Sequence, residues 1–205
     1  MKIKFYNKKN ISTYSCNQKD LIKNLKSAST NLRDINNKNY LYFLGGFVEG
    51  EGSNTVSITV NKKFKYGISI KPEFNVTQHK NGIDLLFSFK ELFGAGYVAQ
   101  KSGSEDVYVY AVKGISIMSE KVIPFLIKYV QPFSGKKNEF ELFTKIVQMS
   151  AGGGQSNKNS LIEMIRLIYD FDKNKIGKGK TRKRDLNEIL EIITDKNKYF
   201  DAIKD

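Results

Sequence analysis

The hydrophobic period of this chain changes between residues 51 and 53. Residues 39–51 carry Tyr42, Phe43, Leu44, Phe47 and Val48, the apolar spacing of a short helix. From Ser53 the period is two. Ser53, Thr55, Ser57, Thr59 and Asn61 share one face, and Val56, Ile58 and Val60 share the other. A helix that runs into a half-polar strand restricts the fold to a sheet with helices packed on its apolar face.

The junction is crowded with glycine: Gly45, Gly46, Gly50 and Gly52 surround Glu49 and Glu51. Each helical glycine costs about 1 kcal/mol relative to alanine. Something here needs close backbone approach more than helix propensity. If two copies pack through Gly46 and Gly50, with Phe47 beside them, their glutamates meet. Paired carboxylates suit Mg²⁺, which takes hard oxygen ligands. Two such ions about 4 Å apart can clamp the oxygens of a phosphodiester. Alternatively Gly50 and Gly52 end the helix and the glutamates are solvated. The residues alone leave both readings open.

The remaining periodicities extend the pattern. Residues 66–77 alternate again, with Ser69, Lys71, Glu73 and Asn75 against Ile68, Ile70, Phe74 and Val76, and Pro72 argues for an edge or a bulge. "NKKFKYG" joins the two runs as a hairpin. Residues 82–93 read as an amphipathic helix ended by Gly94 and Gly96. Residues 96–112 read as a second hairpin turning at Ser102–Glu105. Helices follow at 115–130 (broken near Pro124), 136–149 and 161–171, with a last one from Asp185. The order α-β-β-α-β-β-α predicts an α+β fold with one four-stranded antiparallel sheet and helices on one face. Residues 1–38 read as an N-terminal extension and 39–205 as the folded domain.

Charge narrows the partner. The chain has 34 Lys+Arg against 21 Asp+Glu, a net +13. So basic a balance favours a polyanion. Cys16 is the only cysteine, which excludes an internal disulfide or a cysteine-cluster zinc site, and His79 is the only histidine. No apolar run reaches the length of a membrane span or of a signal-peptide core. Lysine outnumbers arginine 30 to 4 and asparagine is frequent, a hint of an AT-rich, organellar genome. The polar sheet face suits groove readout of DNA, where strand ribbons enter the major groove. Candidate DNA-contacting residues are Thr55, Ser57, Thr59, Asn61, Ser69, Lys71, Asn75, Lys101 and Tyr108, with Lys180, Lys183 and Arg184 of "KTRKR" on phosphates.

Leu44-Gly45-Gly46-Phe47-Val48-Glu49-Gly50-Glu51-Gly52 resembles the LAGLIDADG motif of the homing endonucleases, position for position. "FNVTQH" (74–79), "GYVAQKSGS" (96–104), "VIPFLIKYVQPF" (122–133) and "GKTRKR" (179–184) extend the resemblance over roughly 39–200, toward homodimeric members encoded in chloroplast large-ribosomal-RNA introns. One motif copy implies a homodimer whose sheets form a saddle over double-stranded DNA. The resemblance also implies Mg²⁺-dependent cutting of both strands of a long pseudopalindromic target, leaving 3′ overhangs, and a role in intron mobility. It implies that Glu51 and the Gly50 carbonyl hold metal, that Gln78 positions water, and that Lys137 (or Lys136) supports the phosphate. Glu49 is expected to be structural. Some relatives place a basic residue four positions after the glutamine, where this chain has Gly82. An organelle, chloroplast or mitochondrion, is the implied location. The same fold could instead serve as an intron-RNA maturase or as a non-cutting DNA-binding protein.

Overall fold

The computed structural model describes residues 33–174 and 182–202. Most of the proposed extension, and Lys180, lie outside the described residues. The described residues from Asp34 onward form one compact unit.

Helix α1 spans Lys38–Glu51. Asn37 caps it, its side-chain oxygen accepting from the Asn39 N–H at 2.9 Å. Its buried stripe is Tyr40, Leu44, Gly45 and Val48. The helix passes into strand β1 (Gly52–Val60) with no linking residue. Gly52 permits this, because a Cβ there would fall 2.5 Å from the Val48 carbonyl oxygen.

Strands β1, β2 (Ile68–His79), β3 (Tyr97–Gln100) and β4 (Val107–Lys113) form an antiparallel sheet in the order β1-β2-β4-β3. Both expected hairpins are present. β4 pairs with β2 only from Glu73 to His79, so residues 68–72 of β2 have no strand on that side. Pro72 sits on this local edge, where no ladder partner needs its missing N–H.

Helix α2 (Ile83–Phe93) ends at Gly94, in the left-handed region at φ 65°. It buries Phe89 and Phe93 against Phe74 of β2 and Tyr110 of β4, with ring centroids 5.9–6.3 Å apart. The Tyr110 hydroxyl donates to the Ala95 carbonyl at 2.8 Å, and burial pushes its pKa well up. Each such ring stabilises the core by roughly 1.5–3 kcal/mol of buried area.

The stretch predicted to break near Pro124 does not break. A short α3 (Ile115–Ile117) widens into a π turn over Met118–Val122 and resumes as α4 (Ile123–Tyr129). Pro124 is the second residue of α4, just past the π turn. Helices α5 (Lys137–Ala151), α6 (Lys158–Asn174), α7 (Leu186–Thr194) and α8 (Lys196–Ala202) complete the described chain. Phe143, Ile146, Leu161, Ile168 and Ile192 are buried among them. Among the described residues no helix is long and apolar enough to cross a membrane.

Candidate active site and sheet face

The glycines of α1 divide by side. A Cβ at Gly45 would collide with the Tyr129 carbonyl, so Gly45 brings α4 against α1 within this chain. A Cβ at Gly46 or Gly50 would meet nothing within 4 Å. Gly46 and Gly50 therefore share an open face, on which Phe43 is 52 % exposed. Phe133 is 74 % exposed and edge-packed on Tyr42, with ring centroids 6.1 Å apart. Phe47 is half-buried and stacks toward Phe89 at 6.4 Å, so it belongs partly to the chain's own core.

The two glutamates also divide. Glu49 accepts from the Ser134 hydroxyl at 2.6 Å and from the Gly135 N–H at 3.2 Å. It holds the loop after "QPF" through both of its oxygens. Glu51 is exposed at the end of α1. Lys136 donates from Nζ to the Glu49 backbone carbonyl at 2.8 Å, which puts its ammonium on the motif itself. Lys137, the residue the resemblance favours, is 66 % exposed along its side chain and turns toward Glu141, 3.9 Å away on its own helix. Of the two lysines, Lys136 touches the motif.

The strand register brings in Gln78. Gly52 pairs with Val76, so Gln78 ends β2 beside the C-terminal end of α1. Its Oε1 accepts from the His79 N–H at 2.7 Å. The rest of the side chain lies over Gly82, where a Cβ would fall 2.9–3.0 Å from Gln78 Cγ, Cδ and Nε2. Gly82 is thus where Gln78 rests, and a larger residue there would displace it. Beyond Gln78, Lys80 bonds Asp106 at 2.7 Å, and His79 Nε2 lies 4.0 Å from the same carboxylate. The Lys80 hydrogen bond holds the Asp106 carboxyl below its usual range, and the same bond raises Lys80.

Among the described residues no three His, Cys, Asp or Glu side chains gather as a metal site. Glu51 and a terminal carbonyl of α1 are hard oxygen donors of the type Mg²⁺ takes. Such an ion keeps several waters, so the few donors at this helix end are of a kind that would fit it.

On the sheet, Thr55, Ser57, Thr59, Ser69, Lys71 and Asn75 lie on the face opposite the apolar core, as their parity predicts. Asn61 and Lys101 lie in the hairpin turns, where Asn61 accepts from the Lys63 N–H at 2.9 Å. Tyr108 is a correction. It pairs with Gln78 and, at 6 % exposure, faces the core alongside Tyr110. The open-face residues of this half are Thr77, Tyr97, Val109 and Lys113, which the sequence reading missed. Lys113 is bonded to Glu73 at 2.9 Å.

Arg184 has partners of its own. Its Nε lies 2.8 Å from Glu188 and donates to the Tyr199 hydroxyl at 3.2 Å, while the side chain stays 39 % exposed, so part of its guanidinium is tied to the fold and part faces solvent. Arg182 is likewise bound, to Asp172 and to the Val56 carbonyl. Lys183 between them is exposed. A cleft of about 1170 Å³ lies between this segment and the sheet residues Thr55, Ser57 and Asn75.

This arrangement recurs in known proteins. The LAGLIDADG endonuclease family model matches residues 44–147. The DNA endonuclease I-CeuI of Chlamydomonas moewusii is 35 % identical over 130 residues, which cover 62 % of this chain and 60 % of that protein. The match therefore spans under two thirds of that relative's length. The homing endonuclease I-ApeII of Aeropyrum pernix is 28 % identical over 74 % of this chain and 88 % of its own. Among solved structures, the archaeal intron-encoded homing endonuclease I-Vdi141I complexed with DNA has a TM-score of 0.66 at 36 % identity, over 75 % of this chain and 92 % of that one. I-CeuI complexed with DNA has a TM-score of 0.69 at 26 % identity, over 85 % and 87 %. With the family model spanning half the chain and the glycine-rich helix end matching its motif, this chain belongs to the LAGLIDADG endonuclease family.

Proposed function

We propose that two copies of this chain act as a site-specific DNA endonuclease that cuts both strands of a long, near-palindromic target and promotes intron mobility. The family match over residues 44–147 carries the reading. The relatives are named as DNA endonucleases, and two of the solved neighbours are complexed with DNA. The open Gly46/Gly50 face supports the homodimer, because an isologous contact there brings two Glu51 carboxylates to one axis. A two-fold protein then matches a two-fold target.

In this reading Glu51 and the Gly50 carbonyl hold Mg²⁺ at the helix end. When bound, Mg²⁺ supplies a more acidic water and neutralises charge on the scissile phosphate. Gln78 orients the attacking water through its amide, whose Oε1 is held by the His79 N–H and for which Gly82 leaves room. Lys136 has ammonium protons beyond the one given to the Glu49 carbonyl, and they can face the phosphate. Glu49 fixes the loop that carries Lys136. No covalent intermediate is required, and the two cuts leave 3′ overhangs. The Lys- and Asn-rich composition supports an organellar origin.

The test is cleavage of a plasmid library with and without Mg²⁺ by wild type and Glu51→Gln. We expect one long site to be cut by wild type with metal alone. We expect Glu51→Gln to lose about a thousandfold in rate, since several kcal/mol of charge stabilisation disappear. Equal cutting by both proteins would remove Glu51 from the chemistry. Binding of structured intron RNA without any cutting would favour a maturase.

A further inference from the structure

The β1–β2 ribbon is held in two ways along its length. Its proximal half, next to Glu51 and Gln78, is paired with β4 through Glu73–His79. Its distal half, Val56–Val60 with Ile68–Pro72 and the turn between, has no strand on either outer edge among the described residues. Free edges of this kind slip or recruit other strands unless they are covered.

Residues beyond the family match cover both edges. On the inner edge, the Gln155 side-chain amide behaves as one rung of a missing strand. Its Oε1 accepts from the Ile70 N–H at 2.8 Å, and its Nε2 donates to the Ile70 carbonyl at 3.1 Å. On the outer edge, Arg182 donates to the Val56 carbonyl at 2.8 Å while bonded to Asp172 at 2.5 Å, with its guanidinium over the Tyr169 ring. The turn is tied as well. Lys65 donates to the Ser156 carbonyl at 2.9 Å, and Lys196 donates to the Phe64 carbonyl at 3.0 Å. Gly67 lies against Ile192, so closely that a Cβ there would fall 2.7 Å from its methyl group.

We propose that Gln155 and Arg182 are positioning residues for DNA recognition: they clamp the distal half of the β1–β2 ribbon from its two edges and so set the pitch of Ser57, Thr59, Ser69 and Lys71. The inference rests on the proposed endonuclease function. β1 has nine residues, about 30 Å at roughly 3.3 Å per residue. That length follows some nine base-pair steps of about 3.4 Å. The proximal residues read near the symmetry centre and the clamped residues read the outer bases of each half-site. Neither Gln155 nor Arg182 touches DNA in this account. They act through a backbone they hold straight.

The experiment is binding selection from a randomised duplex library, with wild type, Gln155→Leu, Arg182→Met and the conservative Arg182→Lys. Amide hydrogen exchange and kcat on the selected site accompany it. Both disruptive variants are expected to lose about tenfold in base discrimination at outer positions and to stay within about twofold near the centre and in kcat. The Ile70, Ser57 and Thr59 amides should exchange at least about tenfold faster, while Val76 and Thr77 keep their rates. Arg182→Lys, which keeps the charge facing Asp172, should recover part of the outer discrimination. Should Arg182→Met not fold, Gln155→Leu carries the test. Unchanged preference at every position, or an even loss at all positions, overturns the clamp while leaving the endonuclease in place. If wild type enriches no sequence, the proposed function falls and the inference falls with it.

Discussion

The end of α1 and the segment 182–184 both concentrate charge, and they use it in opposite directions. Around α1, Glu51 is exposed and the Lys136 ammonium lies on the motif backbone, at a surface that Gly46 and Gly50 leave open. At 182–184 Arg182 turns inward, onto Asp172 and the Val56 carbonyl, and Arg184 is tied through its Nε to Glu188 and the Tyr199 hydroxyl. Lys183 between them faces out. A run of basic residues in a +13 chain reads as a phosphate site. Arginine, however, with five donors in a fixed fork, is also the side chain best able to gather several acceptors inside a fold. Side chains committed to internal partners do not add to the counterion release that governs DNA affinity.

The sharpest break in this comparison lies within α1 itself. Gly45→Ala should destabilise the fold by roughly 1–3 kcal/mol or more, because α4 blocks the methyl group. Gly46→Ala, on the open side, should instead stabilise the isolated chain by roughly 0.5–1 kcal/mol, the helix-propensity gain of alanine over glycine. Urea unfolding of both variants decides it, and equal losses would erase the distinction between the two faces. Next in size, Arg182→Met should cost about 1.5–3 kcal/mol, the range for hydrogen bonds to a charged group, since the side chain is only 20 % exposed. Lys183→Ala should leave the thermal midpoint unchanged and lower the salt dependence of DNA binding by about one phosphate contact. If Arg182→Met instead shifts the salt slope and not the midpoint, the segment is a phosphate site after all.

The smallest effect concerns pH. Asp106 is lowered by Lys80, so its contribution is present above the ordinary carboxylate pKa and fades as pH falls through the lowered folded value. Lys80 is raised by Asp106, so its contribution is present below the ordinary lysine pKa and fades as pH rises through the raised one. Between about pH 5 and 9 the pair is constant, given ordinary values near 3.9 and 10.4. Asp106→Asn should therefore leave the shape of the pH–rate profile in that window unchanged. A new inflection would place this pair in the chemistry of Gln78.

Where the sequence was legible, a physical period made it so. The switch at residues 51–53 marks the passage from α1 to β1, and Gly94 marks the end of α2. Thr55, Ser57, Ser69 and Asn75 were found because one parity was polar. Tyr108 was misplaced because "VYVYAV" is apolar at both parities, so alternation carries no sign of which side is buried. The tyrosines took the core face, with Tyr110 reaching the Ala95 carbonyl. Pro124 was read as a break because the π turn ahead of it leaves no mark in the pattern. Gln155, in a loop of glycine, serine and asparagine, shows nothing in sequence of its bonds to a strand 85 residues away. Lys136 and Lys137 could not be separated without knowing which one begins α5 and which one folds back over α1.

In the proposed function one chain carries half a site, and the open face of α1 completes it with a second copy. Light scattering of wild type and Gly46→Leu, each with its cleavage of the selected target, tests this most directly. The account predicts wild type at about 47 kDa, twice the 23.4 kDa chain, and Gly46→Leu as a folded monomer that no longer cuts. A wild-type monomer that cuts both strands at the concentration of the measurement, or a Gly46→Leu protein that is dimeric and active, would contradict it.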